Sequence, residues 1–425
     1  MSVSVLLMIP EPVVVGLPKH GPHMPILLLA ALSITCAAWG EAVMEPIEGT
    51  APAGTVEVQG VAAGEFRPEW WQAETLNWNF DARAPILEPK QGRYRNIYAP
   101  TVVREADRWR VYYGAWDGVQ TGNDRIYTAW TRDFSTFEDR RMVIDHGVYI
   151  HVCNCCALRL PDGAWRMMCT AYPHAEGGLN RPAAFTSPDG LKWNGALPHV
   201  AGYEDLAVIQ GYPTMDKADI NGMNAILYED GQYRLYFGDF KNFGKVHRAS
   251  STDFRTFTYD GPVLDAAVAV NDVKRFDIAG QRWYLMATHM NGAEMWYSLS
   301  RDGMSFGPRH LLTRHRSEAD RYMVAVGLVA DDTTVYGFLY GAGAVPALNE
   351  NRIFAKWLQK KVVFRTDSGQ VYDQVEAFGP DTIRMRIPEG QLRGSFTILA
   401  EDGNTRLCST RPIALKPGQR WRVRR

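Results

Sequence analysis

The sequence carries no appreciable excess of positive or negative charge. Lys and Arg total 46 and Asp and Glu total 47, a net charge of −1 over 425 residues. A chain so balanced has no electrostatic basis for gripping nucleic acid or an anionic membrane. A membrane-spanning run is missing too. The apolar stretch Ile26 to Ala38 has the length of a signal-peptide core and is too short to cross a bilayer. No long segment repeats its apolar residues every 3.6 positions, which excludes a mainly helical protein. Disorder and a collagen-like chain are excluded by ordinary globular composition, 46% apolar and 22% charged. No calcium-loop ligand run of the EF-hand kind occurs.

What is present is aromatic and glycine-rich, with 13 Trp, 19 Tyr and 38 Gly. This suits an all-β protein that handles uncharged, ring-shaped ligands. Lys19, His20 and His23 precede the apolar stretch and small residues follow it, so residues 1–42 read as an export signal with cleavage after Gly40 or Ala42. The expected destination is the periplasm or the outside of the cell. Past that segment stand Cys153, Cys155, Cys156, Cys169 and Cys408. In an oxidising compartment they are expected to be disulfides or buried thiols. Cys153 and Cys169 fall on runs expected to pair as neighbouring strands, and Cys155-Cys156 allows a vicinal bridge. His151 with Cys153, Cys155 and Cys156 also has the types of a soft-metal site.

A repeat organises the middle of the chain. A small polar residue is followed two positions later by Asp, and four further on by an aromatic. It reads Thr131, Asp133, Phe137; Ser187, Asp189, Trp193; Ser251, Asp253, Phe257; and Ser300, Asp302, Phe306. Ahead of each lies a strand-like run such as Trp109-Arg-Val-Tyr-Tyr-Gly or Tyr233-Arg-Leu-Tyr-Phe-Gly. A fifth run, Val335-Tyr-Gly-Phe-Leu-Tyr, lacks the Asp turn. Units of four short strands at this spacing predict a five-bladed β-propeller over residues 66–364, because one blade cannot bury its faces alone. The Asp side chains of the repeat are expected to accept turn N–H groups, and so to be scaffold. Residues 365–425 change composition and read as a small β module capping the propeller.

The repeated turn, with Tyr98-Ala-Pro-Thr-Val-Val ahead of Trp109, resembles the five-bladed propeller glycoside hydrolases of the arabinanase/β-xylosidase and fructosidase types. The resemblance implies carboxylates at the entries of the innermost strands, around a central funnel. One would protonate the leaving oxygen and the other would activate water or attack carbon. On that basis Asp219, Asp272 and Glu294 are the expected catalytic acids, with Glu176 a further rim acid. Arg95, Asn96, His151, Asn154, Asn221, Asn224 and Arg321 are expected to bind substrate. His174 and His289 are rim candidates, and Trp116 and Trp296 are candidates for stacking on a sugar. Where the family shows an aspartate base at the first blade, this sequence has Arg95 and Asn96. That departure leaves open a glycan-binding propeller that does not cut, or a phosphorylase using Arg95 and Arg321 for phosphate. No cofactor is expected beyond a structural calcium at the ring centre, which the resemblance allows. The expected partner is carbohydrate.

Overall fold

A computed structural model of the chain describes residues 43–89, 96–116, 122–348 and 350–424. The expected export signal, residues 1–42, and Arg95 lie outside the described residues.

The repeat builds the five-bladed β-propeller anticipated above. Blade one comprises Ile97–Glu105, Arg108–Ala115, Arg125–Thr131 and Glu138–Asp145. Blade two holds His151–Arg159, Trp165–Tyr172 and Arg181–Ser187, and blade three Ile220–Glu229, Gln232–Asp239, Lys245–Ser251 and Thr256–Asp265. Blade four runs from Ala269–Ile278 through Gln281–His289 and Glu294–Ser300 to His310–Arg314. Blade five has Tyr322–Ala330, Val335–Gly343 and Arg352–Leu358, and takes its outermost strand, Trp78–Phe80, from ahead of blade one. That strand closes the ring. The first strand of each blade packs on the first strand of the next, and blade five returns to blade one.

The Asp turn is the scaffold device. Oδ1 of Asp133, Asp189, Asp253 and Asp302 accepts the backbone N–H groups two and three residues on, at 2.8–3.2 Å. The Thr or Ser two residues earlier accepts the N–H of the residue after the Asp. That residue is left-handed in all four turns: Phe134, Gly190, Phe254 and Gly303. Trp193 and Phe257 are wholly buried, each contributing roughly 1.5–3 kcal/mol by leaving water. Neighbouring blades hold on to these turns, since Tyr112 OH donates to Gly190 O at 2.7 Å and Tyr236 OH to Gly303 O at 3.1 Å.

Two departures from the repeat are local. Blade two has three strands; the segment that follows them instead adds His199–Val200 to the outer edge of blade one and Val208–Gln210 to that of blade three. The second module is a two-sheet sandwich that begins at Lys361–Thr366 and also draws on the N-terminal strands Val43–Ile47 and Thr55–Gln59. Val56, Val58, Phe364, Ile383, Phe396 and Trp421 fill one core between its sheets.

Candidate active site at the entry ends of the inner strands

All five inner strands slip register just inside their entry. The slips fall between Tyr98 and Thr101, Cys153 and Cys156, Asn221 and Ala225, Val270 and Asp272, and Met323 and Ala325. Bulges re-aim side chains, and Ala99, Asn154, Gly222 and Asn224 carry positive φ there. The entry face therefore presents side chains that a regular strand would turn into the blades.

One connected cluster results. His151, half-buried, accepts the backbone N–H of Asp124 at Nδ1 (2.9 Å), and Asp124 Oδ2 lies 3.3 Å from the same nitrogen. A neutral imidazole held this way carries its proton on Nε2. Tyr98 OH donates to Asp124 Oδ2 at 3.0 Å. Asp124 Oδ1 is buried with no hydrogen-bond partner among the described residues. Asn154 Nδ2 donates to Tyr172 OH at 2.7 Å, and Tyr172 OH donates in turn to Asn221 Oδ1. The His151 and Tyr172 rings meet edge to face. The Cys153 thiol touches both phenols, and burial pushes Tyr98, Tyr172 and Cys153 up from their ordinary values. Gly114 makes this approach possible: a Cβ there would sit 3.2 Å from Cys153 Cβ and 3.3 Å from Tyr98 Cε1.

A second polar group lies on blades two to four. Asn224 Nδ2 donates to Thr170 Oγ1 at 2.9 Å, and Thr170 Oγ1 donates to Gly222 O. The His289 ring nitrogens lie 2.8 Å from Asn271 Oδ1 and 3.0 Å from Asn291 Oδ1. Burial lowers His289 to about 4, so its ring is neutral and one of the two amides faces it with its NH2.

His151, Asn154 and Asn221 thus come together, while the three expected acids do not. Asp272 is buried, accepting Leu328 N at Oδ2 (3.0 Å), with Lys274 Nζ 3.1 Å from Oδ1 in an ion pair without hydrogen-bond alignment. Burial pulls the Lys274 ammonium down, but the Asp272 charge more than offsets this and holds it above its usual value. Asp219 is half-buried on the approach to the inner strand of blade three, and accepts Asn180 N at 2.9 Å. Glu294 pairs with Arg314 at 2.8 Å at the edge of blade four. No described residue bonds to more than one of these three carboxylates. Asn96 is buried as a link to blade five, accepting Asn351 N at 3.1 Å. Arg321 is exposed and paired with Glu318 at 3.3 Å. His174 and Glu176 are exposed, Trp116 is buried, and Arg309 covers Trp296.

Asp124 was not among the expected residues, although a signal for it exists. It immediately precedes Arg125–Thr131, the third strand of blade one. Third strands run in the same direction as first strands, so their leading residues emerge at the same face.

Of the two expected alternatives, disulfides or buried thiols, the second holds: Cys153, Cys155, Cys156, Cys169 and Cys408 are free and buried. Cys153 pairs across with Thr170 and Cys169 with Ala183, so the first two cysteines are one residue out of register. Cys155 points toward blade one and Cys156 toward blade three, where it accepts Ile226 N at 3.4 Å. Among the described residues no three His, Cys, Asp or Glu side chains converge as metal ligands. His151 and the cysteines therefore form no soft-metal site among the described residues.

The sequence matches no protein-family model and none of the curated proteins. Among solved structures it is similar to a glycoside hydrolase at 13% identity and TM-score 0.50, over 69% of this chain and 96% of that one. A glycosyl hydrolase from Bacteroides ovatus aligns at 13% identity and TM-score 0.48, covering 69% and 96%. An α-L-arabinofuranosidase from Podospora anserina aligns at 13% and TM-score 0.45, covering 67% and 97%. These structural neighbours are propeller glycoside hydrolases. At such identity the likeness is one of fold.

Proposed function

We propose that this protein is an exported glycoside hydrolase that breaks a glycosidic bond at the entry face of the inner-strand ring. The observation that carries the reading is the His151–Asp124 pair, with its half-buried imidazole set among Asn154, Asn221 and Tyr172. In this reading His151 protonates the leaving oxygen from Nε2. To act as the acid, His151 first takes a proton on Nδ1, exchanging the bond it accepts from Asp124 N for one donated to Asp124 Oδ2, and that carboxylate stabilises the imidazolium before the Nε2 proton moves. Asp219 takes a proton from the water that attacks the anomeric carbon, so the elements of water are divided between the two products. This single displacement inverts the anomeric configuration; retention would require Asp219 to attack the carbon itself. Asn154 and Asn221 supply amide groups for sugar hydroxyls. Asp272 serves as a clamp between blades four and five.

The test is release of reducing ends from a panel of neutral and uronate-containing oligosaccharides. Turnover by the native chain that vanishes in both His151→Gln and Asp219→Asn, each still folded, supports the reading. Unchanged turnover in both variants would sink it. For export, N-terminal sequencing of chain recovered from periplasm or medium should begin after Gly40 or Ala42.

A second reading is favoured by one specific observation. Asp219, Asp272 and Glu294 are held by separate partners, so no carboxylate pair is assembled among them. The propeller would then bind glycans without cutting them, and bound oligosaccharides would be recovered intact.

A further inference from the structure

Blade three ends its second strand in an aromatic pair at the edge of the entry face, Phe240 exposed and Phe243 half-buried. Phe240 is 37% exposed, and its ring stacks on that of Phe243 with centroids 4.9 Å apart and planes 20° from parallel. A ring that simply lacked a place in the core would hang from a loose loop. This loop is pinned at each residue around the ring. Phe240 N donates to Asp219 O at 2.9 Å, Lys241 N to Asp239 Oδ1 at 2.9 Å, and Asn242 N to Asp239 O at 3.1 Å. Asp239 is itself buried, and accepts Tyr212 OH at 3.0 Å and Asp219 N at 2.9 Å.

The ring also has a defined position relative to the polar cluster. Phe240 Cε2 lies 3.9 Å from where a Cβ on Gly222 would stand, and 3.9 Å from the same point on Gly238. Gly222 directly follows Asn221, whose side chain reaches Tyr172 and Asn154. Gly222 and Gly238, on the first and second strands of blade three, thus keep the sheet beneath the ring bare, and Gly222 adjoins the Asn221 amide of the candidate site.

We propose that Phe240, braced by Phe243, is a stacking platform for a pyranose ring bound at the entry face. An aromatic face recognises the side of a sugar on which axial C–H groups are contiguous. The inference rests on the glycan reading above and adds the substrate class: pyranosides with an unbroken face of axial C–H groups, which lies flat on the aromatic ring while hydroxyls reach sideways to amides. Because the pair is held rigid before the ligand arrives, little ordering is needed on binding.

The experiment is calorimetric binding of β-1,4-linked galactobiose, cellobiose and mannobiose to the full chain, with sugar C–H ring-current shifts read by NMR. The native chain is expected to bind at least one of the three, with upfield-shifted C–H protons. Phe240→Ala should weaken that binding about ten-fold, the scale of one aromatic stack, with thermal stability nearly unchanged. Phe240→Trp should retain both the affinity and the shifts. Native-like affinity in Phe240→Ala, with turnover still lost in His151→Gln, overturns the platform and leaves the glycan reading standing. Failure of the native chain to bind or cleave any of these sugars overturns the platform together with its ligand class; if the wider oligosaccharide panel is also neither bound nor cleaved, the glycan reading falls with it.

Discussion

The outer turns and the inner entries of this propeller are made of similar residues used in opposite ways. In the turns, every Asp of the repeat has its acceptor oxygen filled by two backbone N–H groups, and the hydroxyl before it is filled as well. At the entries, Asp124 Oδ1, Asn224 Oδ1, Asn271 Nδ2 and Thr288 Oγ1 are buried with no hydrogen-bond partner among the described residues. A buried polar group left unpaired costs about 1–3 kcal/mol, so a fold tolerates several together where something else is gained. In the repeat the carboxylates and hydroxyls are satisfied and Trp193 Nε1 is buried without a partner among the described residues, whereas the slipped entries gather several such atoms at one face.

The largest expected effect lies on the entry side. His151→Gln should lower turnover by about a hundred-fold or more, the usual range for a lost proton donor, without moving the unfolding midpoint. Asp124→Asn should lower it less and shift the pH limb that reports the imidazole, since Asp124 acts through His151. Next comes the clamp at the ring axis. Lys274→Met strands the Asp272 carboxylate in the interior and should destabilise the fold by about 3 kcal/mol in urea unfolding. Adding Asp272→Asn should restore most of that loss and leave turnover per folded molecule intact. A folded but inactive double variant would move Asp272 from clamp to chemistry.

A smaller effect separates the two regions by pH. His289 is neutral in the fold, with its value lowered to about 4 by burial, whereas in the unfolded chain it titrates near 6.5. The unfolded state therefore binds more protons between these values. The His289 contribution is complete above about pH 6.5 and is lost as pH falls toward 4, amounting to about 2–3 kcal/mol by pH 4.5. Comparing native chain with His289→Gln at pH 7 and pH 4.5 isolates it. Equal pH slopes in the two proteins would show that the imidazole is not buried neutral.

The blades were legible because their signal is local. Asp133, Asp189, Asp253 and Asp302 each make their bonds within three residues, so spacing alone exposes them. What could not be read were pairings made across the chain. Trp78–Phe80 closes blade five by pairing with Lys356 to Leu358, and Thr55–Gln59 pairs with Thr382–Arg386 in the sandwich. Neither segment carries a mark of its partner. In the site, His151, Asn154 and Asn221 were legible as polar residues at first-strand entries. Asp272 stood at such an entry too, but the slip between Val270 and Asp272 turns its carboxylate toward Leu328 and Lys274. Period-two alternation does not foresee a bulge. Asp124 leads into a third strand, as Glu294 does, and sits beside the first-strand entries because third strands open on the same face.

The mildest test returns to the turns. Asp253 is exposed, and the N–H groups of Thr256 and Arg255 hold its carboxyl below the usual range. Asp253→Ala removes the acceptor of the Arg255 and Thr256 N–H groups, which water can still reach, and of the buried Ser251 hydroxyl, so the loss should be about 1–2 kcal/mol. Because the depressed value belongs to an acid, its contribution is present above the unfolded carboxyl range and fades as pH falls through the folded value. Native and Asp253→Ala proteins should therefore converge in unfolding midpoint as the solution is acidified, with turnover per folded molecule equal throughout. Should turnover drop while the midpoint holds, satisfied polar atoms would no longer distinguish scaffold from site, since a fully bonded turn would be contributing to the chemistry.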